Sequence, residues 1–183
     1  MQLPDSTDDF NVSVARLWNE VLLYSIRNDL ARPTVHARNL FHVSAAMYDA
    51  WSIINKKGST YLLGNSLNQF NSEFISYSGE SSQNDLVNAV SYSAYRMITH
   101  RFSESPGFQR IEKKCDALMT LLGLNVDNLD SSDYQNDSTS LGNYIAENYI
   151  SYGMLDGSNE NLDYNNLYYS PVNESMSVSE SGN

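Results

Sequence analysis

The chain has 183 residues and a mass of 20.6 kDa, enough for one domain with a sizeable core. Its net charge of −11 is unevenly placed: all 11 Lys and Arg lie between Arg16 and Lys114, while 11 of the 22 acidic residues fall from Asp116 onward. That last segment repels phosphates and offers no counterion-releasing contacts, so nucleic acid and anionic membrane are excluded as expected partners.

The opening MQLPDSTDDF is acidic and polar, the reverse of a signal peptide's basic start and apolar stretch. No apolar run approaches the about 18 residues a spanning helix needs. No export address is therefore expected, and a cytoplasmic location is the default. Residues 1–11 read as a flexible lead-in, with Asn11 or Ser13 as N-cap of a first helix over residues 12–30. On a wheel of 100° per residue, Val14, Leu17, Trp18 and Val21 gather on one side. Leu23, Ile26 and Leu30 gather nearly opposite, which predicts a helix sandwiched between others. Arg32-Pro33 ends it, because the residue before proline avoids helical angles.

The next stretch, PTVHARNLFHVSAAMYDAW, concentrates the chain's unusual choices. It predicts a second helix with Thr34 as cap, ending near Asn55 before the stop Lys56-Lys57-Gly58. Leu40, Val43, Met47, Ala50, Trp51 and Ile54 form the expected core stripe, with His36 on the same side. Arg38, His42 and Asp49 fall opposite, and Ser44-Ala45-Ala46 is small enough for a neighbouring helix to approach closely. Residues 58–82 are weakly patterned, a loop or marginal helix with a short buried turn at YLLG. Helical periodicity returns over 84–102, where Leu86, Val90, Ala94, Met97 and Arg101 share a drifting face. A fourth helix is expected over 108–122, with Ile111, Cys115, Leu118, Met119 and Leu122 on one face and Pro106 at its start. A fifth covers 139–152 after an acidic loop. The reading is an all-α bundle of about five helices, residues 12–153, followed by an irregular acidic tail, residues 154–183.

Arg38, His42 and Asp49 are the best candidate for chemistry. A carboxylate orienting an imidazole beside a guanidinium suits acid–base work or anion binding. The plainer reading, which we favour, is a polar stripe satisfying itself between packed helices. His36 reads as a satisfied buried histidine, and His100 as a favourable charge at a helix C-terminus. No HExxH pair supports a metal site, and the acidic stretches DNLDSSD and DGSNENLD lack the ligand order of an EF-hand. The single Cys115 excludes a disulfide framework or a cysteine-only metal cluster and reads as a small hydrophobe. No phosphate-binding glycine loop and no nucleophile elbow occur.

The stretch VARLWNEVLLYSIRNDLARPTVHARNLFHVSAAMYDAW resembles the N-terminal helices of bacterial vanadium-dependent haloperoxidase-like proteins, of the type 2 phosphatidic acid phosphatase superfamily. AVSYSAYRMITHRFSESPG, CDALMTLLGLN, LGNYIAENYISYGMLDGSNE and YYSPVN resemble later segments of that group in the same order, so the likeness covers most of residues 12–173. The resemblance implies a helical bundle and, in a complete member, vanadate or phosphate held by Lys, two Arg and His. Those groups belong to three motifs: Lys-x6-Arg-Pro, Pro-Ser-Gly-His and Ser-Arg-x5-His-x3-Asp. None is present: the one Arg-Pro, Arg32-Pro33, has Ser25 where the lysine belongs, and no cation follows Lys114. The expectation is a scaffold segment without catalytic or cofactor-binding residues of its own. Its partner would be a C-terminal catalytic region, and a contact between copies is a further expectation. A self-standing acidic helical interaction protein derived from the same family is the alternative.

Overall fold

The computed structural model describes residues 12–170 and residue 172 and contains five helices. They are α1 (Val14–Arg27), α2 (Pro33–Asn55), α3 (Gln83–Arg101), α4 (Phe108–Leu121) and α5 (Ser138–Gly153). The strands among the described residues are β1 (Ser66–Leu67) and β2 (Phe70–Asn71), paired antiparallel with Ser66 opposite Asn71. The all-α bundle expected from periodicity is the fold. The expectations for residues 1–11, and for the tail at 171 and 173–183, fall outside the described residues.

The axis of the bundle is α3, which packs against all four other helices. Its residues from Ala89 to Ala94 are buried in succession, right round the helix. Ala89, Ser91, Ser93 and Ala94 lack bulk, so neighbours approach from every side. Across from them, a Cβ on Gly142 of α5 would come within 2.7 Å of the Ala89 carbonyl and the Tyr92 Cβ. Glycine there lets α5 lie directly on α3. Trp18 of α1 is fully buried and donates its indole N–H to Ser91 Oγ at 3.0 Å, which satisfies its one polar atom.

Helix ends follow local chemistry. Ser13 caps α1 by accepting from Arg16 N at 3.3 Å, and Asp137 caps α5 by accepting from Ser140 N at 2.7 Å. Ser82 and Asp85 form a reciprocal capping box on α3. Thr34 is not a cap but lies inside α2, because Pro33 takes the first helical position, where its missing N–H costs nothing. At the other end Lys56 itself adopts the left-handed conformation, φ 54°, two residues before the glycine expected to stop the helix.

Two expected faces are corrected. The expected second face of α1 is packed only in part: Leu17, Trp18, Val21 and Leu22 are buried and Ile26 packs half-buried against the core, while Leu23 is exposed and Leu30, also exposed, lies beyond the helix. α2 is rotated from the expected stripe. Val43, Met47, Ala50 and Ile54 are buried as expected, but Leu40 and Trp51 are exposed and His42 and Asp49 are buried in their place. The cause is a second set of neighbours: α5 packs on α2 beside α3, and residues 153–164 close over its N-terminal half. No helix among the described residues is long and apolar enough to cross a membrane.

Candidate functional site

Arg38 and His42 stand one turn apart on α2 and face inward, where the last turn of α3 brings His100 and Arg101 to them. The end of α5 and the loop after it supply the counter-charges. Arg38 donates from Nε to Asp156 Oδ2 at 2.5 Å, and from Nη2 to Glu160 Oε2 at 2.7 Å and to the Gly153 carbonyl at 2.9 Å. Arg101, whose side chain is fully buried, pairs with Glu160 through Nη1. Its Nη2 donates to His42 Nδ1 at 3.1 Å and to the Tyr149 carbonyl at 3.4 Å. His100 Nε2 lies 3.1 Å from the other Glu160 oxygen. A Cβ at Gly153 would collide with both guanidiniums, so a larger residue where α5 ends would have to displace them.

The electrostatics follow from this arrangement. A guanidinium has no acceptor, so His42 Nδ1 must carry a lone pair and the ring proton sits on Nε2, 3.6 Å from Asp156 Oδ2. Burial, then the charges of Arg101 and Arg38, push the His42 pKa down to about 3, and the ring is neutral at physiological pH. Burial, then Arg38, lowers Arg101 to about 10, which still leaves it charged. For Asp156 burial is the largest single influence and acts upward, yet the summed hydrogen bonds from Arg38 and Ser158 hold it below the usual carboxylate range. Burial and the two arginines also lower His100. Two guanidiniums face two carboxylates, and the cluster is internally neutral.

Asp49 does not join Arg38 and His42, which corrects the expected triad. It is fully buried further along α2 and accepts from the backbone N–H groups of Tyr61, Leu62 and Leu63 at 2.5, 3.0 and 3.2 Å. The Tyr149 hydroxyl is its fourth donor, at 3.1 Å. Burial raises its pKa against those hydrogen bonds. Asp49 therefore anchors the YLLG turn, where Leu62 and Leu63 enter the core. The Tyr149 ring, set edge-on to His42 at 6.2 Å, is the bridge between the two sites.

His36 is only partly satisfied: it is half-buried, Nε2 lies 2.8 Å from the Leu30 carbonyl and the ring stacks on Phe102, but Nδ1 is 3.9 Å from Asp29 and has no hydrogen-bond partner. Arg101, Asp156, Glu160 and Gly153 are functional-site residues that the sequence reading did not assign. For Arg101 a signal existed, since a cation in register with Val90, Ala94 and Met97 implies a buried partner. For the two acids there was none: they lie 118 and 122 residues from Arg38 in an irregular segment.

A cleft of about 560 Å³ opens beside the cluster, lined among others by Arg32, His100, Arg101, Glu160, Asp163 and Tyr164. It is not lined by Arg38, His42 or Asp49. Arg32 at its edge is paired with Asp29 at 3.4 Å and Asp163 at 3.2 Å. An oxyanion such as vanadate does not fit the cluster, because Asp156 and Glu160 already cover the guanidiniums and would repel it. Among the described residues no group of three or more His, Cys, Asp or Glu could hold a metal ion. The chain matches no protein-family model, no curated protein and no solved structure.

Proposed function

We propose that this chain is a helical scaffold segment, equivalent to the N-terminal helices of a vanadium haloperoxidase-like or acid-phosphatase-like protein, and not catalytic alone. The observation that carries the non-catalytic part is the pairing of Arg38 and Arg101 with Asp156 and Glu160. Groups that bind a reacting oxyanion must present free positive charge, and this cluster spends its charge closing residues 153–164 onto α2 and α3. The family part is supported by the order of the resembling segments and by a helical fold compatible with them. In a complete member the catalytic region would follow and this bundle would cover it.

The test is turnover by the 183-residue chain: bromide oxidation with vanadate and hydrogen peroxide, and hydrolysis of a phosphate monoester. No rate above the protein-free control is expected. Robust turnover that disappears in His42→Ala would overturn the scaffold reading. The family assignment stands or falls separately, on finding Lys-x6-Arg-Pro and Pro-Ser-Gly-His in frame downstream of Asn183.

One observation favours a second reading, a self-standing interaction protein derived from that family. The outward side of α2 carries aromatic residues and no charge. This reading expects a single cooperative thermal transition and a monodisperse species, where a truncated segment would bind apolar dyes and aggregate.

A further inference from the structure

Ordinary surface helices turn charge toward water. α2 does the opposite: none of its exposed residues is charged. Ala37, Phe41, Ser44, Tyr48, Trp51 and Asn55 form its outward line, with Phe41 47%, Tyr48 42% and Trp51 40% exposed. Their spacing alternates four and three residues, the 3.5-residue repeat that keeps one seam of a helix facing a partner helix. Leu40, also exposed, widens the apolar strip.

We propose that this seam is the interface of a homodimer, in which two copies of α2 cross antiparallel about a two-fold axis at Ser44. The register supports a second copy as the occupant. Ser44 is the midpoint of Pro33–Asn55, so a two-fold axis there overlaps the whole helix with itself. Ala37 and Trp51 lie equally far from Ser44 on either side, so the smallest seam residue of one copy receives the largest of the other. Phe41, three residues before Ser44, and Tyr48, four after it, then fall within one residue of register across the axis, aromatic beside aromatic. Ser44 meets itself, and its small side chain allows the close crossing that an isologous contact needs at its axis.

Charge agrees with this pairing. Lys56 and Lys57 are exposed at the C-terminal end of the seam, and the exposed Asp163 is held at the N-terminal end by Arg32. Antiparallel crossing brings the lysines of one copy toward the end of the other where Arg32 and Asp163 pair, and opposes the two helix dipoles. The chain's surplus acids, from Asp116 onward, all fall outside α2 in sequence. A cationic partner would be drawn to those acids rather than to a neutral aromatic strip. This inference does not rest on the scaffold reading.

Sedimentation or light scattering of the full chain tests it. At about 100 µM, well above a micromolar dimer constant, the expected mass is twice 20.6 kDa. Ser44→Cys places two thiols at the axis and is expected to form a disulfide-linked dimer at least about tenfold faster than Ser59→Cys, an exposed position off the axis. The native Cys115 is fully buried and adds no background. Phe41→Glu is expected to give a monomer with unchanged helical circular dichroism. A monomeric parent chain overturns the proposal. So does a dimer in which Ser44→Cys cross-links no faster than Ser59→Cys, and this arm decides the matter even where Phe41→Glu fails to fold.

Discussion

Two buried carboxylate systems hang from the same helix and are built on opposite terms. Asp49 meets no cation, only three backbone N–H groups and a phenol, and its pKa is raised by burial. Asp156 meets Arg38, and its pKa is lowered despite burial. For the backbone that each system ties down, the difference tracks chain distance. Asp49 ties down a turn only 12 to 14 residues away, where the chain returns nearby without help and neutral donors suffice. The Arg38–Arg101 cluster holds a segment 115 to 122 residues from Arg38, where a longer closure must be held and full charges do the holding. Neutral anchoring shapes the local turn; ionic anchoring fixes where the irregular segment after α5 lies.

The largest expected effect breaks the ionic side. Arg101→Met leaves Glu160 with one guanidinium instead of two and a desolvated carboxylate beside methyl groups. By analogy with other broken buried pairs it should cost about 3–5 kcal/mol in urea unfolding. The double variant Arg101→Met with Glu160→Met should recover much of that, since an apolar pair of similar volume restores balance. A loss under about 1 kcal/mol in the single variant would mean that Glu160 swings into water and that the cluster behaves as a surface pair.

That asymmetry also explains what the sequence could reveal. Arg38 and His42 were readable as neighbours because a helix brings i and i+4 together. Arg101 was half-readable, a cation on an apolar register. Asp156 and Glu160 were not, since an irregular segment has no period to place them opposite anything. Asp49 was readable as unusual but not as an anchor, because its partners are backbone N–H groups, which every non-proline residue possesses. Trp51 and Leu40 were misplaced for a related reason: hydrophobic periodicity identifies apolar faces, and α2 has two, of which only one is turned to the core.

A smaller effect reads the same contrast through pH. The His42 pKa lies well below that of a free imidazole, so between about pH 6.5 and about 3 the unfolded chain binds a proton that the folded chain refuses. Stability from this group is therefore complete above about pH 6.5 and falls as pH falls, by up to about 1.4 kcal/mol per unit. Asp156, lowered, adds a loss only as pH drops through the carboxylate range, and Asp49, raised, acts in the opposite sense there. Urea midpoints at pH 7, 6 and 5 should decline in the parent chain. His42→Asn keeps an acceptor toward Arg101 but does not titrate, and should flatten that decline to the smaller slope left by His100, whose pKa is lowered in the same direction. An unchanged slope would place the proton uptake elsewhere.

The smallest effect asks whether the two systems are coupled at all. Tyr149 touches both: its hydroxyl donates to Asp49 while its ring packs against His42 and its carbonyl accepts from Arg101. Burial and the Asp49 charge push the phenol upward, so it stays protonated and donates throughout the working pH range. Tyr149→Phe removes one of four donors from Asp49 and nothing from the arginine cluster. The expected loss is about 1 kcal/mol near neutral pH. It should shrink in acid, because a protonated Asp49 has less need of the missing donor. The slope between pH 7 and 5 that belongs to His42 should stay as it is in the parent chain. If that slope changes as well, the ring transmits between the sites, and the ionic clasp and the neutral anchor form one cooperative unit rather than two.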